Sequence, residues 1–446
     1  MNKKVSTFQL ILLSSFGAIG VGAVLIFALA TAGGGGGGVS PVTVWGTFDG
    51  TAVKEVLRAA GEQDTRLSQV TYVQKDPSTF EADLANALAS GTGPDIFILR
   101  GDEALYDANK IYPIPYATLS QSQFESTFVD ASDVYLSPNG VLGLPIVVDP
   151  LVLYWDRDSL ASAGIAQPPQ YWDQLSFMAQ TLTQKDQSGT IQKSGIALGT
   201  YANIGAAKDI LATLIQQAGG TITTKNSSGT YVSGLSQGGA TSKGAQGALA
   251  FYTEFANPSQ SDYSWNNAQQ DARQSFSGAE LAMYVGYASE EPLIRAGNPN
   301  LNFAAAPIPE VRNSQNSIDG GVVYALAIPK NDPNLQSALT VAYLLAQPAV
   351  DSALAQAIGI APARRDVLAL GAPSTTPATI DASLFYNMAL IVHTWADPNP
   401  QETATVFQAM IDDTESGAMQ ITDAIGQANQ QIANLLDQAQ AQSQSQ

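Results

Sequence analysis

The chain's 446 residues are too many for one ordinary hydrophobic core and fit two lobes plus an anchor. Only 13% are charged, and a net charge of −19 with scattered Lys and Arg excludes nucleic-acid binding, which needs clustered cations. Cysteine is absent, which excludes disulfides, thiol catalysis, cysteine-ligated zinc and a cysteine-borne lipid.

Lys3 and Lys4 precede an uncharged, mostly apolar run over 8–32. At about 1.5 Å per residue such a run spans roughly 37 Å, enough to cross a hydrocarbon core of about 30 Å. A cleaved signal peptide has a shorter apolar centre of about 7–15 residues. The run is therefore expected to be a transmembrane anchor over 1–32, with its N-terminus cytoplasmic and the bulk of the chain extracellular or periplasmic. The small-residue sequences Ala28-Leu29-Ala30 and Ala30-Thr31-Ala32 leave cleavage open as the alternative. Six glycines follow at 33–38. No Gly-Lys-Ser/Thr comes after them, so 33–41 reads as a flexible tether and not as a phosphate loop.

Beyond the tether, a strand is expected over 42–45, a helix over 51–60, a strand over 70–73, a helix over 78–89 and a strand over 96–99. That βαβ alternation implies a parallel sheet with helices on its faces. A short helix is expected near 104–110. An apolar strand over 142–148 then halts at Asp149-Pro150, and a second resumes over 151–155. Helices are expected over 171–182, 206–217, 244–256, 266–275, 335–346 and 349–357, and strands over 195–198, 281–285 and 322–328; 303–308 is apolar, and Pro307 and Pro309 bracket a second crossing. The stretch 219–239 is rich in Gly, Ser and Thr and reads as a hairpin or loop, and 360–362 reads as a turn. Ile421, Ile425, Ala428, Ile432 and Leu435 mark one buried face of a C-terminal helix, followed by a polar tail over 439–446.

A strand that pauses at a carboxylate and resumes suggests a chain crossing between domains beside a cleft. Leu144, Pro145, Asp149, Leu153, Tyr154, Ala163, Gly164, Pro168, Trp172 and Asp173 together resemble the hinge segment of extracellular solute-binding proteins of ABC importers, sugar-binding type. Four further blocks, in the same order, are similar to that family: Gly93-Pro94-Asp95-Ile96, Phe276 to Met283, Gly320-Gly321 with the strand after it, and Ile360 to Arg364. The resemblance implies an α/β, two-lobed, periplasmic-binding-protein-like (type II) fold with hinge-crossing strands, here preceded by one transmembrane helix. Lobe 1 is expected at 42–148 plus 309–366, and lobe 2 at 149–308 plus 367–438. Relatives of Gram-positive type carry a lipidated cysteine after the signal; this chain has none, which makes the transmembrane reading more necessary.

Cleft loops after the sheet strands are where ligands of open α/β folds gather. Sugars need flat aromatic surfaces for stacking and planar polar groups for hydroxyls. The expected ligand contacts are Trp45 or Asp49, Arg100 and Asp102, Asp149, Tyr201 and Asn203, Tyr287 and Ser289, backbone approach at Gly320 and Gly321, and Trp395. Each has a plain structural alternative: core packing for the aromatics, a surface ion pair for Arg100 and Asp102, and a cap or hinge hydrogen bond for Asp149. His393 is the one histidine, no Gly-x-Ser-x-Gly elbow occurs, and no HExxH or EF-hand pattern appears, so neither catalytic residues nor a metal or cofactor is expected. Asp156-x-Asp158 reads as a helix start in preference to a calcium site. The resemblance implies a membrane-tethered receptor that passes a carbohydrate to ABC permease subunits by hinge closure. A membrane-anchored glycan-processing enzyme, with Asp102 and Asp149 as its carboxylate pair, and a non-binding surface scaffold are the alternatives.

Overall fold

The computed structural model describes residues 39–236, 240–312, 314, 317–373 and 381–444. The expected transmembrane run and the six glycines lie outside the described residues. Among those described, no single helix is long and apolar enough to cross a membrane.

The first lobe opens as β1 (Val42–Gly46), α1 (Gly50–Gln63), β2 (Val70–Gln74), α2 (Phe80–Ser90) and β3 (Ile96–Arg100). β1 lies between β2 and β3, parallel to both. Val42 and Val44 are buried and Thr43 and Trp45 half-buried, the alternation of a strand with unequal faces. Asp49 caps α1 by accepting from the Ala52 N–H at 2.8 Å, and α1 lays Val53 and Leu57 on the sheet. α2 ends at Gly91, whose φ of 70° suits glycine alone without strain. The short helix expected near 104–110 is instead a pair of 3₁₀ turns, at Gly101–Glu103 and Ala108–Lys110.

β4 (Leu144–Asp156) is the spine of the molecule. It is one unbroken strand, where two separated by a pause at Asp149-Pro150 were expected. Its first half pairs antiparallel with β8 (Gly321–Ala327) and its second half with β6 (Leu281–Tyr287). The change of partner falls at Pro150 and Leu151, where Leu151 N–H donates to Gly320 O at 2.9 Å. A proline is tolerated there because its missing donor coincides with the handover between ladders.

The second lobe adds α3 (Leu175–Leu182), β5 (Ile191–Ile196), α4 (Ala207–Gln217), α5 (Ala240–Glu254) and β7 (Phe303–Ala306). A small hairpin pairs Thr223–Lys225 with Tyr231–Ser233 inside the Gly/Ser-rich stretch. The helix expected over 266–275 is confined to Ala272–Ser277, because Asn203 holds the backbone carbonyls of Asn266 and Gln269. β8 is followed by α6 (Leu335–Leu345), α7 (Pro348–Ile358) and β9 (Ala361–Pro362). β9 pairs with Val147 and Val148, so the expected turn at 360–362 is a short strand. The ladder runs β2-β1-β3-β8-β4-β6-β5, with β7 and β9 also on β4. It is two lobe sheets sharing one strand.

The return crossing comes later than the boundary expected at 308–309. Glu310 still bridges Tyr171 in the second lobe, and the chain rejoins the first at Gly321, opposite Pro150. Arg365 holds Phe128 O in the first lobe, whereas Asp381 accepts from Ala305 N–H in the second, which brackets the third crossing. α8 (Ala382–Ala389), α9 (Pro400–Glu415) and α10 (Ile421–Gln444) complete the fold. α10 buries Ile425, Ala428, Ile432 and Leu436, one residue past the Leu435 expected. Residues 439–444 of the expected tail continue this helix.

Candidate functional site

Arg100 ends β3 and turns back on Asp102, with Nε–Oδ1 at 3.0 Å and Nη2–Oδ2 at 3.1 Å. This two-point contact fixes the guanidinium plane. The same guanidinium lies 5.9 Å from the Tyr324 ring, and Phe48 meets that ring edge-on at 4.9 Å. The first lobe thus presents one ion pair flanked by two aromatics.

Facing it, the first turn of α4 supplies Lys208 and Asp209. Lys208 Nζ donates to Asp397 Oδ2 at 2.5 Å, Thr403 Oγ1 at 2.9 Å and Pro400 O at 3.3 Å, which uses all three of its protons. The ammonium sits 5.3 Å from the Trp395 ring, which itself stacks on Phe407 with centroids 6.0 Å apart. The Tyr287 hydroxyl donates to Asp209 Oδ2. Asp102 from one lobe and Asp209, His393 and Trp395 from the other wall a void of about 30 Å³, floored by Gly320 and Gly321. The lobes also touch directly, Thr394 Oγ1 donating to Ala131 O at 2.8 Å. Larger hollows of about 510 and 610 Å³ open beside Lys193 and beside Lys110. Neither is walled from both lobes, so convergence of the two lobes marks the site and size does not.

Burial works against the charge on Asp102, but the Arg100 guanidinium and then the Lys208 ammonium hold its carboxyl below the usual range. Burial raises Asp209, a rise that Lys208 and the Tyr287 hydroxyl offset only in part and that the Asp102 charge reinforces. Burial likewise pushes Asp149 up to about 7. Charge from each lobe is therefore felt by the other across the void.

The residues expected from sequence divide clearly. Asp102, Gly320, Gly321 and Trp395 line the void, and Arg100 and Tyr287 stand behind it on Asp102 and Asp209. Trp45 is half-buried in β1 with Lys75 Nζ 3.5 Å from its ring centroid, and Asp49 serves as the α1 cap. Asp149 is buried and accepts from the Ser289 N–H at 2.9 Å, a hinge bond joining two residues both expected at the ligand. Asn203 accepts from Trp265 Nε1 and Thr200 Oγ1 while donating to Asn266 O and Gln269 O, so its amide is fully occupied by protein. Tyr201 is half-buried against the core, within the field of Lys208. Gly321 lies so close to the hinge that a Cβ would stand 2.7 Å from Asp149 O.

Lys208, Asp209, Asp397 and Tyr324 were missed by sequence reasoning. One signal was available: Lys208 and Asp209 are the only charged residues between Lys193 and Lys225. Charges isolated in an apolar helix start must either pair or face a cleft. Among the described residues no group of three or more His, Cys, Asp or Glu is arranged to hold a metal ion.

A family model described as "Bacterial extracellular solute-binding protein" matches residues 50–350. No curated protein is a significant match to the chain. An ABC-transporter solute-binding protein from Thermotoga lettingae, solved with alpha-D-tagatose, superposes with a TM-score of 0.68 at 20% identity, covering 89% of this chain and 100% of that one. The cyclic alpha-maltosyl-1,6-maltose binding protein of Arthrobacter globiformis gives 0.71 at 17% identity, covering 90% and 99%. The GacH receptor of Streptomyces glaucescens, solved unliganded and with acarbose, gives 0.68 at 16% identity, covering 90% and 99%. At these identities the structural likeness speaks to the fold.

Proposed function

The chain belongs to the bacterial extracellular solute-binding proteins, and from that membership we propose that it is the receptor of an ABC importer for a sugar or oligosaccharide. The observation that carries this reading is the meeting of Asp102 from one lobe, backed by Arg100 and Tyr324, with Asp209 and Trp395 from the other, Asp209 backed by Tyr287. Trp395, backed by Phe407, offers a stacking face, and the carboxylates and guanidinium suit hydroxyl groups. The solved relatives of like fold with bound tagatose or acarbose support the same class of solute.

A void of about 30 Å³ holds roughly one water, so the lobes must part before a pyranose enters. Solute contacts from both walls would then favour the closed arrangement, which the permease would recognise. Tethering by the apolar run at 8–32, with the lobes outside the membrane, completes the proposal. Burial of Asp149 against Ser289 N–H disfavours pairing it with Asp102 as glycosidase carboxylates. The small void favours one further reading, a surface scaffold that has lost its solute.

Thermal unfolding of the full chain in detergent, against a panel of mono- and oligosaccharides, separates these readings. A solute at about one hundred times its dissociation constant stabilises by roughly 2.7 kcal/mol, a shift of a few degrees. A shift with the sugar recovered intact establishes a receptor, and recovery of cleaved sugar establishes an enzyme. No shift across the panel sinks the carbohydrate claim and leaves the scaffold.

A further inference from the structure

The two cations of the cleft are both committed. Arg100 is held at two points by Asp102, and Lys208 gives its three protons to Asp397, Thr403 and Pro400. Asp209 differs from the other carboxylates here, because among the described residues no cation forms an ion pair with it. Its neighbour Lys208 turns away to Asp397, and among the described residues only the Tyr287 hydroxyl donates to it, at Oδ2. Among the described residues none donates a hydrogen bond to Oδ1. It is not sealed in the core either, since Asp209 is partly exposed and lines the void together with the first lobe's Asp102.

A carboxylate with no cation in ion-pair contact, in a narrow cleft, repels any anion that enters. It gains most from a partner that brings its own positive charge, because charge-assisted hydrogen bonds are about twice as strong as neutral ones. Building on the sugar-receptor reading above, we propose that Asp209 is the charge-discriminating residue of the cleft and that the preferred solute is an aminated carbohydrate, its ammonium donating to Asp209 Oδ1. A neutral sugar would offer a hydroxyl to the same oxygen and bind less tightly. A uronate or sugar phosphate would be rejected, since the charge of Arg100 is already balanced by Asp102 and the three protons of Lys208 are taken.

The test is calorimetric titration of the full chain in detergent with matched triplets of neutral, aminated and carboxylated sugars. The triplets are built on glucose, galactose and mannose, as monosaccharides and disaccharides. In the triplet that binds, the aminated member is expected to be about tenfold or more tighter than the neutral one, and the carboxylated member undetectable. Asp209→Asn keeps an acceptor for Tyr287 and should bring the aminated and neutral sugars within about twofold of each other. Asp209→Glu should retain the preference for the amine. Equal binding of neutral and aminated sugars by the native chain, or an unchanged ratio in a folded Asp209→Asn, overturns the inference and leaves the receptor reading intact. No binding by any member of any triplet overturns the receptor reading and this inference with it.

Discussion

Asp149 accepts the Ser289 N–H at 2.9 Å, tying the midpoint of β4, where it passes between lobes, to the turn that leaves β6. The carboxylate is buried, so the hinge carries a titratable group with little water around it.

Its protonation has a consequence for stability. Burial lifts the folded-state pKa to about 7, against about 3.9 for an unfolded aspartate. Between those values the folded chain holds a proton that the unfolded chain has lost. The contribution to stability therefore falls as pH rises from about 4 to about 7 and is level above that. Asp149→Asn should flatten this segment of the Tm–pH curve, and parallel curves for native and variant chains would count against the assignment.

Gly320 and Gly321 are both crowded, but by different things. A Cβ on Gly321 would meet Asp149 O at 2.7 Å and Pro150 Cα at 2.9 Å, which are hinge backbone. A Cβ on Gly320 would meet Thr213 Oγ1 at 2.1 Å, a side chain. Each alanine substitution should cost about 1–3 kcal/mol. Thr213→Ala should recover much of the loss in Gly320→Ala and none of it in Gly321→Ala, as read by denaturant midpoints.

Lys208→Met should be costly because Asp397 is fully buried and would lose its cation. Breaking such a buried pair costs about 3–5 kcal/mol. Adding Asp397→Asn should restore most of that loss, since no uncompensated charge then remains. Urea unfolding of the two single variants and the double variant measures the coupling.

Trp395→Ala should weaken binding of the cognate sugar about tenfold or more while shifting Tm of the sugar-free chain little, because the ring is only half-buried. Trp395→Phe should recover part of the affinity. Titration calorimetry beside thermal unfolding reads both effects, and an unaffected affinity would remove Trp395 from the solute's path.

What the sequence determined alone is local. The apolar alternation of 42–45, the apolar runs of 142–148 and 151–155 and the four-and-three spacing of 421–432 each state what an element buries. Those periods arise from backbone geometry and need no distant partner. They also locate Arg100, Asp102 and Tyr287, because strand ends open into the loops of an α/β cleft. The tertiary structure alone decided how polar groups are shared out. Lys208 and Asp397 are 189 residues apart in the sequence, and Arg100 and Tyr324 are 224 apart. No local period relates such pairs, and whether a carboxylate caps, pairs or faces the cleft depends on what folding brings within about 3 Å of it. Asp149 and Asn203 went to the protein on that account, and Asp209 was left facing the void.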